Sequence, residues 1–341
     1  LAQEAPEKRI GEDLDFAGAV AALQRLTEDD LARVNAAILE CMGSPVPMIP
    51  ALAGHLIKAG GKRLRPMLTL AAAGVHGYQG DDHIKLAAAV ELIHGATLLH
   101  DDVVDDSALR RGAETANVIW GNKESVLVGD FIFSRAFELM VAAGDLEVLR
   151  ILSSASGVIA EGEVMQLATQ KNLEATFEMY LAVVESKTAA LFAAAAEAGA
   201  VIAGGGKASQ DAFRAYGRNL GVAYQLVDDA LDYAGYEQAL GKRVGDDFRE
   251  GKMTLPVVYA LGRASAEEAA FWRRTIAEGR LEAEDFARAC AAIERTGALA
   301  DTLACARRYA ARALDDLEAA PANDYTNALA ALAMSSVARA F

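Results

Sequence analysis

Proline is missing from the greater part of this chain. After Pro66 none occurs until Pro256, and the intervening stretch is rich in Ala, Leu, Glu and Lys. Proline is by far the worst helix former and alanine the best, so a stretch of that length favours long helices. Alternating β-branched runs bounded by turn residues, which are typical of strands, are also missing. The sequence therefore predicts an all-helical body.

Cysteines, basic residues and strongly hydrophobic runs are scarce as well. Cys41, Cys290 and Cys305 are too few and too scattered for a disulfide framework or a zinc site, and they fit a reducing, cytoplasmic setting. A net charge of -15 argues against nucleic acid as a partner. Residues 1–15 show no signal-peptide pattern. The most apolar window begins at Ala189, contains Glu197 and is mostly alanine, which predicts a buried core helix rather than a membrane span.

Residues 1–12 are predicted to form a flexible tail, and residues 13–341 a single helical domain, although length alone allows one to three. Thr27 is expected to cap the first helix, with Asp30 at the reciprocal position. Polar, glycine-containing segments at 110–122 and 241–252 are predicted to be loops. Helical periodicity predicts helices at 27–42, 48–59, 67–76, 82–105, 123–142, 145–170, 174–202, 208–234 and 252–262, with three or four more after them.

Two acidic clusters of the form DDxxD each end an apolar run. Their members are Asp101, Asp102, Asp105, Asp228, Asp229 and Asp232. On a helix, positions i and i+4 share a face roughly 6 Å apart, so each cluster directs two carboxylates one way. Like charges held together cost free energy unless a cation lies between them, and Mg²⁺ prefers such oxygen ligands. A solvated helix face is the alternative for one cluster, but two after apolar runs favour metal binding.

Basic residues are concentrated at two places in this acidic chain. Lys62, Arg63 and Arg65 lie in the segment "KAGGKRLRP", and Arg110 and Arg111 follow the first acidic cluster. The planar fork of Arg and the mobile charge of Lys suit phosphate oxygens. Surface salt bridges are the alternative, and each of those contributes little to stability. Carboxylates beside a separate group of cations predict two diphosphates, one held through Mg²⁺ and the other held directly.

Six sequence blocks together resemble the trans-isoprenyl diphosphate synthases, also called the polyprenyl synthetase family, and its long-chain members in particular. The blocks are "GGKRLRP", "LLHDDVVDDSALRRG", "GDFIFSRAF", "ESKTAALF", "YQLVDDALDY" and "GKRVGDDFREGKMTLP". The resemblance covers about residues 50–260. It implies the isoprenoid synthase fold, a bundle of long antiparallel helices around a central hydrophobic cavity, usually in a homodimer. Asp106 stands where Glu is common, and the C-terminus "SVARAF" lacks the usual basic cluster, which puts a role of the tail in closing the site in doubt.

The same resemblance implies roles for individual residues. Three Mg²⁺ are expected at the acidic clusters, on Asp101, Asp102, Asp105, Asp228, Asp229 and Asp232. Positions that match contacts to the allylic diphosphate are Arg110, Lys187, Thr188, Gln225 and Lys242. Positions that match the pocket for isopentenyl diphosphate are Lys62, Arg65, His94 and Arg111. The expected catalytic set is Asp101, Asp105, Asp228, Lys187, Thr188, Gln225 and Lys242.

Product length is predicted from the helix that carries Asp101. Ala96, five positions earlier, is about 7.5 Å deeper, using the rise per residue. An aromatic side chain there would stop growth early, but Ala96, Ile93 and Ala89 are not aromatic. An open tunnel predicts a C40 product, with C45 and C50 next and shorter farnesyl or geranylgeranyl products as a further alternative. By resemblance, such chains become quinone side chains.

The predicted function is Mg²⁺-dependent, head-to-tail condensation of isopentenyl diphosphate onto an allylic diphosphate such as farnesyl diphosphate. A class I terpene cyclase would also ionise a prenyl diphosphate, but it takes no second diphosphate and needs no separate cationic pocket. A non-catalytic partner subunit usually lacks intact acidic clusters. An acidic helical interaction protein would not show paired DDxxD clusters. Contact with a membrane during product release stays open.

Overall fold

Long helices make up most of the described chain. A computed structural model describes residues 15–58, 60–110, 112–234 and 244–340. In chain order its α-helices are α1 (Phe16–Leu26), α2 (Glu28–Cys41), α3 (Met48–Lys58), α4 (Leu64–Val75), α5 (Asp82–Val104), α6 (Ala116–Trp120), α7 (Asn122–Ala143), α8 (Leu146–Thr169), α9 (Phe177–Val184), α10 (Ala190–Ile202), α11 (Lys207–Leu231), α12 (Asp246–Glu250), α13 (Leu255–Leu261), α14 (Ala266–Trp272), α15 (Asp285–Arg295), α16 (Ala298–Asp316) and α17 (Asp324–Ser336). The predicted all-α fold is confirmed.

A few other elements interrupt or extend these helices. Two π-helical turns lie at Glu185–Ala189 and Arg273–Ala277, and two 3₁₀ turns at Leu317–Ala319 and Val337–Ala340. Strands β1 (Leu109–Arg110) and β2 (Ala113–Glu114) form one short antiparallel pair, in which Leu109 lies opposite Glu114. Among the described residues this hairpin is the only sheet.

The predicted long helices occur close to the expected bounds, but three shorter helices were missed. Helix α1 precedes the first predicted helix, and α6 and α12 lie in segments predicted to be loops. The predicted helix 174–202 is instead α9, a π-helical turn and α10. The two loop segments are polar and contain glycine, so five-residue helices there leave no apolar periodicity to read. The predicted tail at 1–12 lies outside the described residues.

The expected capping box at Thr27 is wrong. Its side chain makes no capping hydrogen bond to α2, and instead the hydroxyl donates to the carbonyl oxygen of Leu23 at 3.0 Å. Asp30 pairs with Arg33 and His83 rather than with the backbone at Thr27. The reason is that Thr27 is the single residue between the end of α1 at Leu26 and the start of α2 at Glu28, so it is the C-cap of one helix and the N-cap of the next.

Small residues let the central helices approach closely. Helix α5 packs along α7, and α10 packs against both α4 and α11. A side chain at Gly199 of α10 would clash with the backbone carbonyl of Thr69 in α4. A side chain at Gly217 of α11 would clash with the carbonyl of Phe192 in α10. These contacts fix α10 against α4 and α11 against α10, and so determine where the second acidic cluster lies.

The segment Phe177–Ile202 is long and apolar enough to cross a membrane, and half of its most apolar window is buried inside the protein. It is the one such segment in the part of the chain that the structure describes. Phe192, Ala195 and Ala198 belong to the main hydrophobic core or lie fully buried beside it. This agrees with the predicted core helix.

Candidate active site

Members of both acidic clusters line one cavity of about 670 Å³. Helix α5 and the residue that caps its C-terminus supply His94, Thr97, Leu98, Asp101 and Asp105 to its wall. Helix α11 supplies Tyr224, Gln225, Asp228 and Asp229. Other parts of the wall come from the segment at 61–65, α8, α9, the π-helical turn after α9, the segment at 252–254 and the residues Arg110, Phe192, Asp247 and Arg339.

The side chains of the first acidic cluster point in two different directions. Asp101 and Asp105 face the cavity, where Asp101 Oδ2 lies 3.6 Å from Lys187 Nζ and Asp105 Oδ2 lies 3.0 Å from Lys252 Nζ. Asp102 is 2% exposed and accepts hydrogen bonds from Arg110 Nε at 2.9 Å and Nη2 at 2.7 Å. Burial raises the pKa of the Asp102 carboxyl, and the Arg110 guanidinium opposes that rise. Asp102 therefore holds Arg110 at the edge of the cavity.

The side chains of the second acidic cluster also have different partners. Asp228 Oδ1 lies 3.1 Å from Arg339 Nη2. Asp229 is buried and accepts hydrogen bonds from the Tyr180 hydroxyl at 2.6 Å and from Gln225 Nε2 at 2.8 Å. Burial, aided by the nearby charge of Asp247, raises the pKa of Asp229 above its usual value.

Asp232 has a different position from the other members of its cluster. It is buried, and its carboxylate accepts hydrogen bonds from the backbone amides of Gly245 at 3.0 Å and Asp247 at 3.1 Å. Asp232 caps the C-terminus of α11, and these two hydrogen bonds hold its carboxylate against residues 245–247 rather than at the cavity. Its side chain instead anchors the beginning of α12.

The donor set fits a hard divalent cation, because carboxylate oxygens are the ligands that Mg²⁺ prefers. As the described side chains stand, however, no three acidic, imidazole or thiol groups converge on one point. The cavity-facing carboxylates of Asp101, Asp105 and Asp228 each face a protein cation instead. A metal ion there would take the place of those cations.

Two of the six predicted metal ligands lie off the cavity wall in this structure. Asp102 and Asp232 do not line the cavity, and both are engaged by other groups of the protein. Neighbouring residues on a helix point about 100° apart, so Asp102 cannot share the face of Asp101. In the structure Asp102 positions Arg110 and Asp232 positions the beginning of α12, and their role as metal ligands stays a prediction.

The π-helical turn after α9 directs two adjacent side chains into the cavity. Lys187 Nζ lies 2.8 Å from Glu163 Oε2, and the Thr188 hydroxyl donates to Gln225 Oε1 at 2.9 Å. Single π-helical turns inside α-helices are frequent at functional sites. Gly162 of α8 lies against the turn, and a side chain there would crowd the backbone nitrogen of Lys187. The turn thus brings the predicted residues Lys187, Thr188 and Gln225 together.

The predicted cationic pocket forms another part of the same wall. Lys62, Arg65 and His94 all line the cavity. Arg65 Nη1 lies 3.2 Å from His94 Nε2, and Arg63 forms an ion pair with Glu91. Gly60 has φ of 71°, a left-handed conformation that glycine adopts at no steric cost. Arg111 and Lys242, predicted for the two diphosphates, lie outside the described residues.

Sequence reasoning missed several ionisable residues of the wall, among them Glu163, Lys252 and Arg339. Burial and the charge of Asp101 raise the pKa of Glu163 to about 7. Burial lowers the pKa of Lys252, but the carboxylates of Asp247, Asp105 and Glu250 outweigh burial and raise it well above its usual value. Arg339 comes from the last turn of the chain. Lys252 lay inside a block quoted above and could have been found, whereas Glu163 and Arg339 carried no local signal.

The residues predicted to control product length do not line the cavity. Ala89, Ile93 and Ala96 are fully buried in the hydrophobic core. Residues four and seven positions before Asp101, namely Thr97 and His94, lie on its face of the helix, whereas a step of five turns about 140° away. The expected open tunnel is thus not part of this cavity, and the link between these residues and product length stays a prediction.

A helical bundle whose cavity presents opposed carboxylates and cations defines a class of enzyme that acts on prenyl diphosphates. The model of the polyprenyl synthetase family matches residues 46–293, and this chain belongs to that family. It is therefore a prenyltransferase, which confirms the predicted enzyme class.

Similar proteins cover almost the whole chain. Octaprenyl diphosphate synthase of Haemophilus influenzae is 45% identical over 318 residues, which cover 93% of this chain and 96% of that protein. A crystal structure of a polyprenyl synthase from Caulobacter crescentus, complexed with calcium and isoprenyl diphosphate, is 53% identical with a TM-score of 0.91, covering 97% of this chain and 99% of that one. A decaprenyl diphosphate synthase structure from Rhodobacter capsulatus is 48% identical with a TM-score of 0.91, covering 94% and 99%.

Proposed function

We propose that the protein is an all-trans polyprenyl diphosphate synthase that adds isopentenyl diphosphate, head to tail, to farnesyl diphosphate or another allylic diphosphate. The observation that carries this proposal is a single cavity with carboxylates on one part of its wall and a separate set of Lys, Arg and His on another. Two diphosphates can then be held side by side by different means. A terpene cyclase would have no use for the second set.

Asp101, Asp105 and Asp228 are proposed to hold Mg²⁺, three ions in all, on the diphosphate of the allylic substrate. When bound, Mg²⁺ would neutralise the negative charge that develops on the leaving diphosphate. Lys187 and Lys252, which pair with Asp101 and Asp105 in the structure, would then be able to turn toward diphosphate oxygens while Glu163 and Glu250 stay beside them. Arg110 is kept at the cavity edge by Asp102 for the same purpose.

Lys62, Arg65 and His94 are proposed to bind isopentenyl diphosphate directly. Guanidinium and ammonium groups suit phosphate oxygens and require no metal. This holds the double bond of isopentenyl diphosphate beside the carbon from which the allylic diphosphate departs. Fixing two reactants in register removes much of the entropic barrier to their reaction. Arg111 and Lys242 lie outside the described residues. Arg111 is proposed to help bind isopentenyl diphosphate, and Lys242 to help bind the allylic diphosphate.

The reaction begins as the allylic C–O bond breaks and leaves an allylic carbocation. The double bond of isopentenyl diphosphate attacks that cation, and a proton is then lost to the departing diphosphate. Apolar residues of the wall, including Leu98, Ile159, Val184 and Phe192, exclude water that would otherwise capture the cation. Thr188 and Gln225, joined by a hydrogen bond, orient the polar side of the site.

A long product, C40 octaprenyl diphosphate for a quinone side chain, is the proposed outcome. The names of the relatives from H. influenzae and R. capsulatus, which specify octaprenyl and decaprenyl chains, support a length in this range. C45 and C50 are the neighbouring alternatives. The reaction is proposed to occur in the cytoplasm, with contact to a membrane when the apolar product is released.

A homodimer is the proposed assembly. Helices α7 and α8 expose large apolar side chains, among them Leu127 at 67%, Val141 at 64% and Val164 at 68%. Exposed apolar surface of this kind is typical of a protein interface. Leu127→Asp should shift the molecular mass in solution, measured by light scattering, toward that of a monomer. A wild-type protein that is already monomeric would contradict the proposal.

The decisive experiment is chromatography of the products formed from radiolabelled isopentenyl diphosphate and farnesyl diphosphate with Mg²⁺. We expect a ladder of chains that ends near C40 and disappears when EDTA removes the metal. A cyclic hydrocarbon made from the allylic substrate alone would identify a terpene cyclase. No turnover of either substrate would favour a non-catalytic subunit.

A further inference from the structure

Cations and aromatic rings alternate beside the proposed pocket for isopentenyl diphosphate. Lys62 Nζ lies 4.5 Å from the centre of the Phe16 ring, and Arg339 Cζ lies 5.0 Å from the same centre. Arg339 Cζ also lies 3.8 Å from the centre of the Tyr224 ring. Farther along, Arg65 Cζ lies 4.5 Å from the Phe192 ring. The three rings are neighbours, since Tyr224 is 6.2 Å from Phe16 and 5.8 Å from Phe192.

An aromatic neighbour orders a cation differently from a carboxylate. The face of the ring attracts the cation through its quadrupole. A ring carries no net charge, so it neither neutralises the cation nor competes as a hydrogen-bond acceptor for a diphosphate. A pocket that binds an anion directly gains from such neighbours, because its cations are held in place while they keep their charge.

Phe16 is the ring of this set that comes from outside the cavity wall. It is the first residue of α1, is 6% exposed, and does not line the cavity. The Asp15 carboxylate caps the helix by accepting a hydrogen bond from the Gly18 amide at 2.7 Å, which fixes where α1 begins. Ala19 and Leu23, on the same side of the helix, are fully buried and anchor it.

We propose that Phe16 is a positioning residue that orders Lys62 and Arg339 for the diphosphate bound without metal. This inference rests on the proposed function for the identity of the substrate, but the anion site itself can be tested separately. Phe16 acts through the two cations, since it does not reach the cavity. Its removal should therefore weaken binding at the directly held diphosphate. Arg339 keeps its ion pair with Asp228 in such a variant, so binding of the metal-bound diphosphate should change much less.

The test compares Phe16→Leu, which keeps an apolar side chain but removes the ring, with Phe16→Trp, which keeps a ring. Phe213→Leu is the matched control, because Phe213 is fully buried in the same core and does not line the cavity. Binding of inorganic diphosphate to the full chain is measured by calorimetry in EDTA. In the presence of Mg²⁺, steady-state kinetics give kcat and the KM of each substrate.

Phe16→Leu should raise the Kd of metal-free diphosphate and the KM of isopentenyl diphosphate by about 3- to 10-fold. The values of kcat and of the allylic KM should stay within about twofold, and Phe16→Trp should restore binding. Unchanged diphosphate binding in Phe16→Leu would overturn the inference. Equal losses of every parameter, matched by Phe213→Leu, would make Phe16 a core residue only and would also overturn it.

Different results would contradict the proposed function and the inference about Phe16. If the wild-type protein binds diphosphate in EDTA and Phe16→Leu weakens it, but no prenyl chain is made, the proposed function fails and the inference stands. If prenyl chains form but the variant behaves like the wild-type protein, the function stands and the inference fails. A wild-type protein that binds no diphosphate in EDTA would show that the cations are not arranged for an anion, which overturns the inference.

Discussion

Individual side chains of the cavity are arranged as pairs of opposite charge. Asp101, Asp105 and Asp228 face Lys187, Lys252 and Arg339, each within 4 Å. Carboxylates so close together raise one another's free energy, and the protein cations offset this when no metal is bound. When a pair separates, its carboxylate is suited to binding a metal ion and its Lys or Arg is suited to binding a diphosphate. The two proposed ligands are thereby expected to bind cooperatively.

Removing one of these carboxylates tests the metal assignment. Asp228→Ala should leave the protein folded, because its side chain is 38% exposed, and should cut turnover by at least about 100-fold. Asp246→Ala is the control, since Asp246 has similar exposure, pairs with Arg249 and lies off the cavity wall. Product formation and circular dichroism are the measurements. An active Asp228→Ala would contradict the assignment.

Lys62→Ala tests whether the two diphosphates are held separately. Lys62 lies on the cationic part of the wall, so its loss should raise the KM of isopentenyl diphosphate by about 10-fold or more, with a smaller effect on the allylic KM. Lys85→Ala is a control, because Lys85 pairs with Asp82 and does not line the cavity. Equal increases in both KM values would argue against two separate anion sites.

Glu163 should make the stability of the metal-free protein depend on pH. Its pKa is raised by burial and by Asp101 to about 7 in the folded state, against 4.5 as its ordinary value. The folded state therefore holds this proton more tightly than the unfolded state. The resulting stability is present below about pH 4.5 and is lost as pH rises to about 7.

Glu163→Gln should remove this contribution, so the stability of the variant should fall less than that of the wild-type protein between pH 5 and pH 8, by roughly 1–3 kcal/mol. Urea unfolding in EDTA at both pH values measures the difference. Glu161→Gln is the control, because Glu161 is exposed on the same helix. Parallel curves for Glu163→Gln and wild type would show that Glu163 titrates at its ordinary pKa.

At the scale of elements, glycines determine how near the helices lie. The carbonyl of Thr69 leaves no room for a side chain at Gly199, so α10 can approach α4 only with glycine there. Gly157 of α8 is also helical but has open space around it. Comparing alanine substitutions at Gly199 and Gly157 therefore distinguishes the packing role of glycine from its intrinsic effect on helix stability.

Gly199→Ala should lower the free energy of unfolding by about 1–3 kcal/mol, since the helices must move apart or strain. Gly157→Ala should raise it by about 0.5–1 kcal/mol, because alanine is the better helix former and nothing obstructs its side chain. Urea unfolding with fixed m-values measures both. A stabilised Gly199→Ala would mean that α4 and α10 do not touch as closely as the structure shows.

Helix α5 also carries the prediction about product length. A bulky side chain at Ala96 should shorten the product, if the growing chain reaches this buried part of α5. The series Ala96→Val, Ala96→Leu and Ala96→Phe should shorten it progressively, as measured by product chromatography, with overpacking of about 1–3 kcal/mol as an accompanying cost. A variant that is active and makes a product of unchanged length would show that the chain grows elsewhere.

At the scale of the whole molecule, the two ends of the described chain meet. Helix α1 packs against α17 and α4, and Phe16 lies beside Arg339. The helices that carry the acidic clusters, α5 and α11, lie between these ends in sequence. We propose that residues 13–341 fold as one domain, since the contacts of α1 and α17 link the beginning and the end of the chain.

The amino-acid sequence by itself determined the helical class, most of the long helices and the chemistry of the site. These follow from local properties, namely the absence of proline between 66 and 256, the periodicity of apolar residues and the repeated DDxxD spacing. The family then follows from blocks that each lie within one short segment. Four of the six predicted carboxylates line one cavity together with other residues named in this way, which are Lys62, Arg65, His94, Lys187 and Gln225.

Only the tertiary structure decided which charges meet. Lys252 reaches Asp105 across 147 positions of sequence, and Arg339 reaches Asp228 from the last turn of the chain. The absence of Asp102 and Asp232 from the cavity wall depends on the rotation of α5, which turns Asp102 toward Arg110, and on the backbone amides of Gly245 and Asp247 that hold Asp232. Such pairings depend on the packing of helices that are distant in sequence, where a shift of one residue turns a side chain by about 100°. Local sequence patterns identify the charged side chains of the site, and the packing of the helices determines which of them pair.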